Sequence, residues 1–318
     1  LLFFAIFFVF IIPILNFFTS PESFFHISDF TLNLFGKFLS YAILALGIDL
    51  IWGFTGILSL GHGVFFGLGG YCMGMYLSLA IGSSGVYQSK LPDFMVWNRV
   101  KELPFFWEPF HSFPLTLLCA ILVPAIFASL FGFLAFRTRV KGVYFAIITQ
   151  ALALSAWLVF NRNEINLGGT NGLTNFKKIL GFSLQDIETQ RFLYIATAVT
   201  LCLSYLICRY IVRSRAGKIL LAIRDSENRV LYSGYTPSNY KIFVFAISAV
   251  LAGIAGALYV PQVGIITPGK IGVLPSIEMV IWVAVGGRGT LSGAILGAVS
   301  VNWMRSFLTS NYPDYWLY

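Results

Sequence analysis

The sequence predicts an all-α polytopic membrane protein of about 8–10 transmembrane helices, some broken at glycine-rich stretches, with one amphipathic helix on the cytoplasmic side. Three observations predict it. Of 318 residues, 58% are hydrophobic and 11% charged, with a mean hydropathy of +0.81, whereas soluble chains carry about 25% charged residues. The apolar residues fall into runs long enough to cross a bilayer, which takes about 20 residues per helix. Finally, 30 Gly and 32 Phe suit helices that cross closely while rings face lipid or gather at its borders. A single transmembrane domain over 1–318 is the expectation, and soluble, fibrous and disordered classes are excluded.

Nine apolar runs bounded by polar, Gly or Pro punctuation fall at 1–18, 38–58, 61–81, 113–136, 143–160, 192–211, 240–260, 277–285 and 291–308. The first follows no Met and precedes no small-residue cleavage site, so it is expected to be a span rather than a signal remnant. Both chain ends are expected to be cut, since the sequence stops inside an apolar, aromatic stretch. Two places are irregular. The junction from Gly53 to Gly63 never becomes polar, and the run before Gly286 is too short for a crossing. Broken helices at membrane depth are tolerated only where protein or a water-filled cavity surrounds them, which makes both places candidate pathway elements.

Basic residues set the orientation. Arg137, Arg139, Lys141, the segment 209–241 and Arg288 share one side and hold 11 of the 21 Lys and Arg, with Asp225 and Glu227 as their only acids. The opposite loops, 19–37, 81–111, 161–191 and 261–275, mix both signs nearly evenly. The basic side is therefore cytoplasmic, the N-terminus inside and the C-terminus outside. Topogenic charge accounts for the net +8 without nucleic acid.

Catalytic signatures are missing. Gly264-Ile-Ile-Thr-Pro-Gly269-Lys270 opens like a phosphate-binding loop, but Ile271 stands where Ser or Thr is required. His26, His62 and His111 have no nearby carboxylate or Cys that would make a triad or metal site. Cys72, Cys119, Cys202 and Cys208 lie scattered in apolar runs and are read as small buried hydrophobes. Neither catalysis, a cofactor nor a bound metal is expected.

The segment from Ser214 to Pro237 is the most informative. Ile219, Ala222, Ile223, Val230 and Tyr232 alternate with charges at roughly helical spacing, Ser214 offers an N-cap, and Gly234 with Pro237 marks the end. A helix too polar to span is a docking element or lies on the lipid surface.

Four spaced motifs then resemble a family: Gly56-Ile-Leu-Ser-Leu-Gly-His-Gly63-Val-Phe-Phe-Gly-Leu-Gly-Gly70, Gly168-Gly-Thr-Asn-Gly172-Leu, Ala222-Ile-Arg-Asp-Ser-Glu227, and Gly286-Gly-Arg-Gly-Thr-Leu-Ser-Gly293-Ala. Together they look like the permease of a branched-chain amino acid type ABC importer. Gly47-Ile-Asp49-Leu-Ile-Trp52-Gly, Leu91-Pro-Asp-Phe-Met95, Glu102-Leu-Pro104, Tyr259-Val-Pro-Gln-Val-Gly264 and Ser276-Ile-Glu278-Met-Val-Ile-Trp282 are similar to its urea branch. The resemblance runs from about Phe38 to Trp316 and implies a half-channel in the bacterial inner membrane. Its implied partners are a second, different permease subunit, two cytoplasmic ATP-binding subunits and a periplasmic substrate-binding protein. The segment 213–236 would then be the coupling segment, with Arg224, Asp225, Glu227 and Gly234 facing the ATPase. It departs from the importer loop pattern, because Glu227 is followed by Asn228 and Arg229 and the interval to Gly234 is one residue longer.

Asp49 and Glu278 sit inside apolar runs, and ionisable residues at membrane depth are functional candidates by default. Urea offers four N–H groups and one carbonyl, which carboxylates, amides and aromatic faces suit. Asp49, Trp52, Gln150, Gln262, Glu278 and Trp282 offer that chemistry, and His62 between two glycines joins them as either a path residue or a buried interior histidine. Structural pairing of the acids, and plain small-residue packing of the glycines, remain open alternatives. So do a branched-chain amino acid as substrate and a passive urea channel or ion-coupled carrier.

Overall fold

The chain is described from a computed structural model at residues 8, 12–18, 28–82, 85, 87–89, 91–138, 140 and 142–312. His26, Lys90, Arg139, Lys141 and most of the run 1–18 lie outside the described residues. The fold is all-α: α1 (Ile12–Phe18), α2 (Asp29–Thr55), α3 (His62–Ile81), α4 (Asp93–Trp97), α5 (Phe113–Arg137), α6 (Val143–Phe160), α7 (Ile187–Arg213), α8 (Arg215–Tyr232), α9 (Pro237–Val263), α10 (Val273–Gly286) and α11 (Leu291–Asn311).

Two kinds of membrane helix follow from one apolar composition. α9 packs against both α2 and α3, and all three are buried along most of their length. α5, α6 and α7 instead turn rows such as Leu130, Ile147, Leu158 and Leu206 outward, as lipid permits and water would not. Small residues let the central helices meet. A side chain at Gly69 would strike the backbone of Gly253, and one at Gly256 would strike the Phe66 carbonyl. The packing alternative for these glycines is thus what the structure uses.

Among the described residues six helices are long and apolar enough to cross a membrane, or up to seven if α10 and α11 count as one bent span. The expected 8–10 counted the whole chain, including the run 1–18. The run 1–18 is described only in part, and the runs 277–285 and 291–308 form a pair bent by 118° rather than two independent crossings.

One correction concerns 261–275, expected as an outer loop. Its first residues finish α9, and the chain then turns back along α3. Ile266 packs where side chains at Gly74 and Gly70 would stand, Ile271 does so at Gly67, and Ser276 with the Lys270 carbonyl does so at Gly63. Eleven helical residues rise about 16 Å, so the segment reaches well inside the membrane before α10 begins. Two short strands, Leu173–Thr174 and Ile265–Ile266, pair antiparallel where it enters.

The basic linker and the amphipathic helix do share one end. Val140 and Gly142 line the same cavity as Thr55, Arg224 and Lys241. Single cysteines in a background lacking the four native ones give a direct check: one at Lys218 should react with an impermeant reagent only from the cytoplasmic side, and one at Lys177 only from outside. The reverse pattern inverts the topology. Packing has its own check, because Gly256→Leu should cut the yield of folded, detergent-extracted protein at least several-fold, while Gly269→Ala, which would meet only Thr267 Oγ1 at 3.4 Å, should leave most of it.

Candidate functional site

At membrane depth α2, the returning segment, α10 and α11 enclose a cavity of about 300 Å³ lined by Lys37, Tyr41, Lys270, Glu278, Trp282, Asn302 and Arg305 among others. Four ionisable side chains in one cavity at that depth are costly unless paired or hydrated. Glu278 Oε2 accepts from Arg305 at 2.9 Å, yet their side chains stay 43% and 51% exposed. A half-exposed ion pair cannot face hydrocarbon, so this wall looks onto water or another protein. The Tyr41 and Trp282 rings lie 4.7 Å apart, and the Lys37 and Lys270 ammonium groups sit over Tyr41 and Tyr259 at 5.9 and 5.8 Å. The cavity thus offers cationic donors, one carboxylate, an amide and aromatic faces within a small volume.

Of the residues the sequence singled out for the path, Glu278 and Trp282 line this cavity. Asp49 is fully buried nearer the basic end, where its Oδ1 accepts from the Gly289 amide at 2.6 Å. The turn it holds, 287–290, needs glycine, since Gly287 and Gly289 take φ of 100° and 80°. Trp52 is adjacent: Arg288 donates from Nε to the Trp52 carbonyl at 3.1 Å and lies 5.0 Å over its ring. His62 is fully buried with Nε2 2.7 Å from Ser248 Oγ, which in turn donates to the Gly47 carbonyl. Gln262 donates to Thr197 and to the Leu258 carbonyl, and Gln150 is half-buried on α6. The two acids therefore stand in different surroundings, Asp49 on a backbone turn and Glu278 on the cavity wall.

The amphipathic helix is present as α8, with Ser214 accepting from the Gly217 amide as its cap. It breaks at Ser226, whose φ of −160° and ψ of 91° are not helical. Leu220 and Ile223 face inward ahead of the break and Val230 after it, while Ala222 and Tyr232 are exposed. Arg224 turns toward the membrane domain and donates to the Gly53 carbonyl at 3.1 Å. Asp225 is 3.1 Å from Arg224 and mostly exposed, Glu227 accepts from Lys241 at 2.7 Å, and Gly234 ends the segment with φ of 86°. The last carbonyls of α2 thus receive one arginine from α8 and one from the 287–290 turn.

The family described as "Branched-chain amino acid transport system / permease component" matches residues 30–316. The chain belongs to that family. It is accordingly a multi-pass inner-membrane protein. It is similar to the high-affinity branched-chain amino acid transport system permease protein LivM of Escherichia coli strain K12, with 28% identity over 310 residues, covering 89% of this chain and 65% of that protein. It is similar to BraD of Pseudomonas aeruginosa, with 23% identity over 286 residues and 86% and 84% covered. It is also similar to LivH of Salmonella typhimurium, with 23% identity over 291 residues and 86% and 85% covered. The chain spans less than two thirds of the length of the LivM relatives from Escherichia coli and Salmonella typhimurium. No solved structure matches it significantly.

Lys37, Tyr41, Lys270, Asn302 and Arg305 were not singled out for the path by the sequence. Arg305 carried a usable signal, a charge inside an apolar run. Lys270 carried none, because its depth depends on the fold of the segment around it.

The turn at Gly289 yields a prediction. Asp49→Asn keeps an acceptor for the Gly289 amide and should assemble near-normally, whereas Asp49→Leu leaves that amide unsatisfied and should lower thermal stability by about 1–3 kcal/mol or prevent assembly. Equal melting temperatures for the two variants would remove the bond's structural weight.

Proposed function

We propose that this chain is one membrane subunit of an ATP-driven importer that moves urea or another short amide. In this reading a periplasmic binding protein delivers the substrate, a second permease completes the path, and two ATP-binding subunits dock on α8 at the cytoplasmic, basic end. The chain itself performs no catalysis.

The observation that carries the reading is the cavity at membrane depth with Glu278, Arg305, Lys37, Lys270, Tyr41 and Trp282 around it. Small-molecule sites start at about 300 Å³, and a planar amide asks for what these side chains offer. Its carbonyl oxygen accepts from a cation, its N–H groups donate to a carboxylate or to Asn302, and its faces lie on rings. Support for urea in particular comes from the sequence blocks around Asp49, Asp93, Pro104, Gln262 and Glu278 that are similar to the urea branch.

A branched-chain amino acid is the second reading, favoured by the names of the relatives and by the charges of the cavity. A zwitterion would direct its carboxylate to Lys37 or Lys270 and its ammonium to Glu278. Uptake of labelled urea against labelled leucine by the reconstituted complex, with and without ATP, separates the two. ATP-dependent uptake of urea and not leucine is the expected result, and leucine alone would establish the second reading.

Two variants follow. Glu278→Gln removes the carboxylate that accepts from Arg305 and should lower uptake at least several-fold, with the double variant Glu278→Gln/Arg305→Gln recovering part of the loss. For coupling, Arg224→Gln should lower uptake per ATP hydrolysed several-fold while the subunits still co-purify; an unchanged ratio would leave Arg224 outside the coupling route.

A further inference from the structure

The cavity carries two lysines besides its one ion pair. Arg305 and Glu278 offset one another at 2.9 Å, which leaves Lys37 and Lys270. Among the described residues neither lysine forms an ion pair, and each is instead held over a tyrosine ring, at 5.9 and 5.8 Å. Both line the cavity from opposite elements, Lys37 from α2 and Lys270 from the segment that returns along α3. Fixing two ammonium groups there has a cost that plain hydrogen-bond donors such as Asn or Gln would avoid.

An importer path must open without letting the cell's ion gradients run down through it. A positive side chain fixed on the wall of a path raises the barrier for every cation while leaving a neutral or zwitterionic molecule free to pass. We propose that Lys37 and Lys270 form a cation filter, a pair of specificity-determining charges that keep monovalent cations out of the path during the transport cycle. The filter rests on the proposed transport reading and is indifferent to whether the cargo is urea or leucine, since neither carries net charge. It also gives Lys270 a role that the failed phosphate-loop match around it did not.

The test uses the whole complex in proteoliposomes, with ATP and a thallium-sensitive dye enclosed and thallous ion outside with saturating binding protein and substrate. The native complex should admit thallous ion no faster with ATP than without. Lys37→Gln/Lys270→Gln should raise ATP-dependent entry about tenfold or more, each single Gln variant less, and Lys37→Arg/Lys270→Arg should stay tight because the charge is kept. Gln variants that still take up labelled substrate yet remain as tight as native would overturn the filter. Leakage that is independent of ATP would overturn it too, by showing that the lysines only hold the packing. Native complexes that move neither urea nor leucine with ATP would instead sink the transport reading, whatever the thallium signal. Should the double variant fail to assemble, the two single variants decide: both tight overturns the filter, and ATP-dependent entry in either sustains it.

Discussion

A helix that stops inside a bilayer leaves backbone N–H and C=O groups that no water reaches, and the breaks in this chain are built around that constraint. Between α2 and α3, the Leu60 amide donates to Thr149 Oγ1 and the Gly63 amide to Ser276 Oγ, at 3.0 and 3.1 Å. At the α10–α11 turn the Gly289 amide goes to Asp49. At the end of α2 the carbonyls of Trp52 and Gly53 take Arg288 and Arg224. Each partner comes from a distant part of the chain, so the breaks hold only when the helices around them are assembled. One of these bonds, from Arg224 to the Gly53 carbonyl, ties α8 to the membrane helices.

How much of this the sequence could show depended on the range of the interaction. Composition and apolar runs were enough for an all-α membrane protein, because lipid imposes its demand on each segment separately. The N-cap at Ser214 and the end at Gly234 are local features and were legible. The break at Ser226 was not, since nothing in Asp-Ser-Glu marks it and its surroundings are tertiary. The return of 264–276 along α3 was hidden as well. The glycine-rich motif ending at Gly70 offered small-residue packing as one reading, but only the fold shows that what packs at Gly63, Gly67, Gly70 and Gly74 is this segment rather than another helix.

The candidate site shows the same division. Asp49 and Glu278 looked alike in sequence, each an acid just before a glycine-rich break. Their partners separate them: a backbone amide buries one, and an arginine with open surroundings leaves the other accessible. Membership of the permease family is consistent with either acid being structural or functional, so the geometry, not the family, distinguishes a clasp from a lining residue.

The contact between α10 and α11 has a mechanical meaning. Side chains at Gly286, Gly293 and Gly297 would each strike the facing backbone, so the two helices lie against one another with no layer of side chains between them near the turn. Backbone against backbone leaves nothing compliant to slide or repack. Glu278 and Arg305, one on each helix, are therefore carried by a single stiff bracket, whose backbone contact sets how far apart they stand.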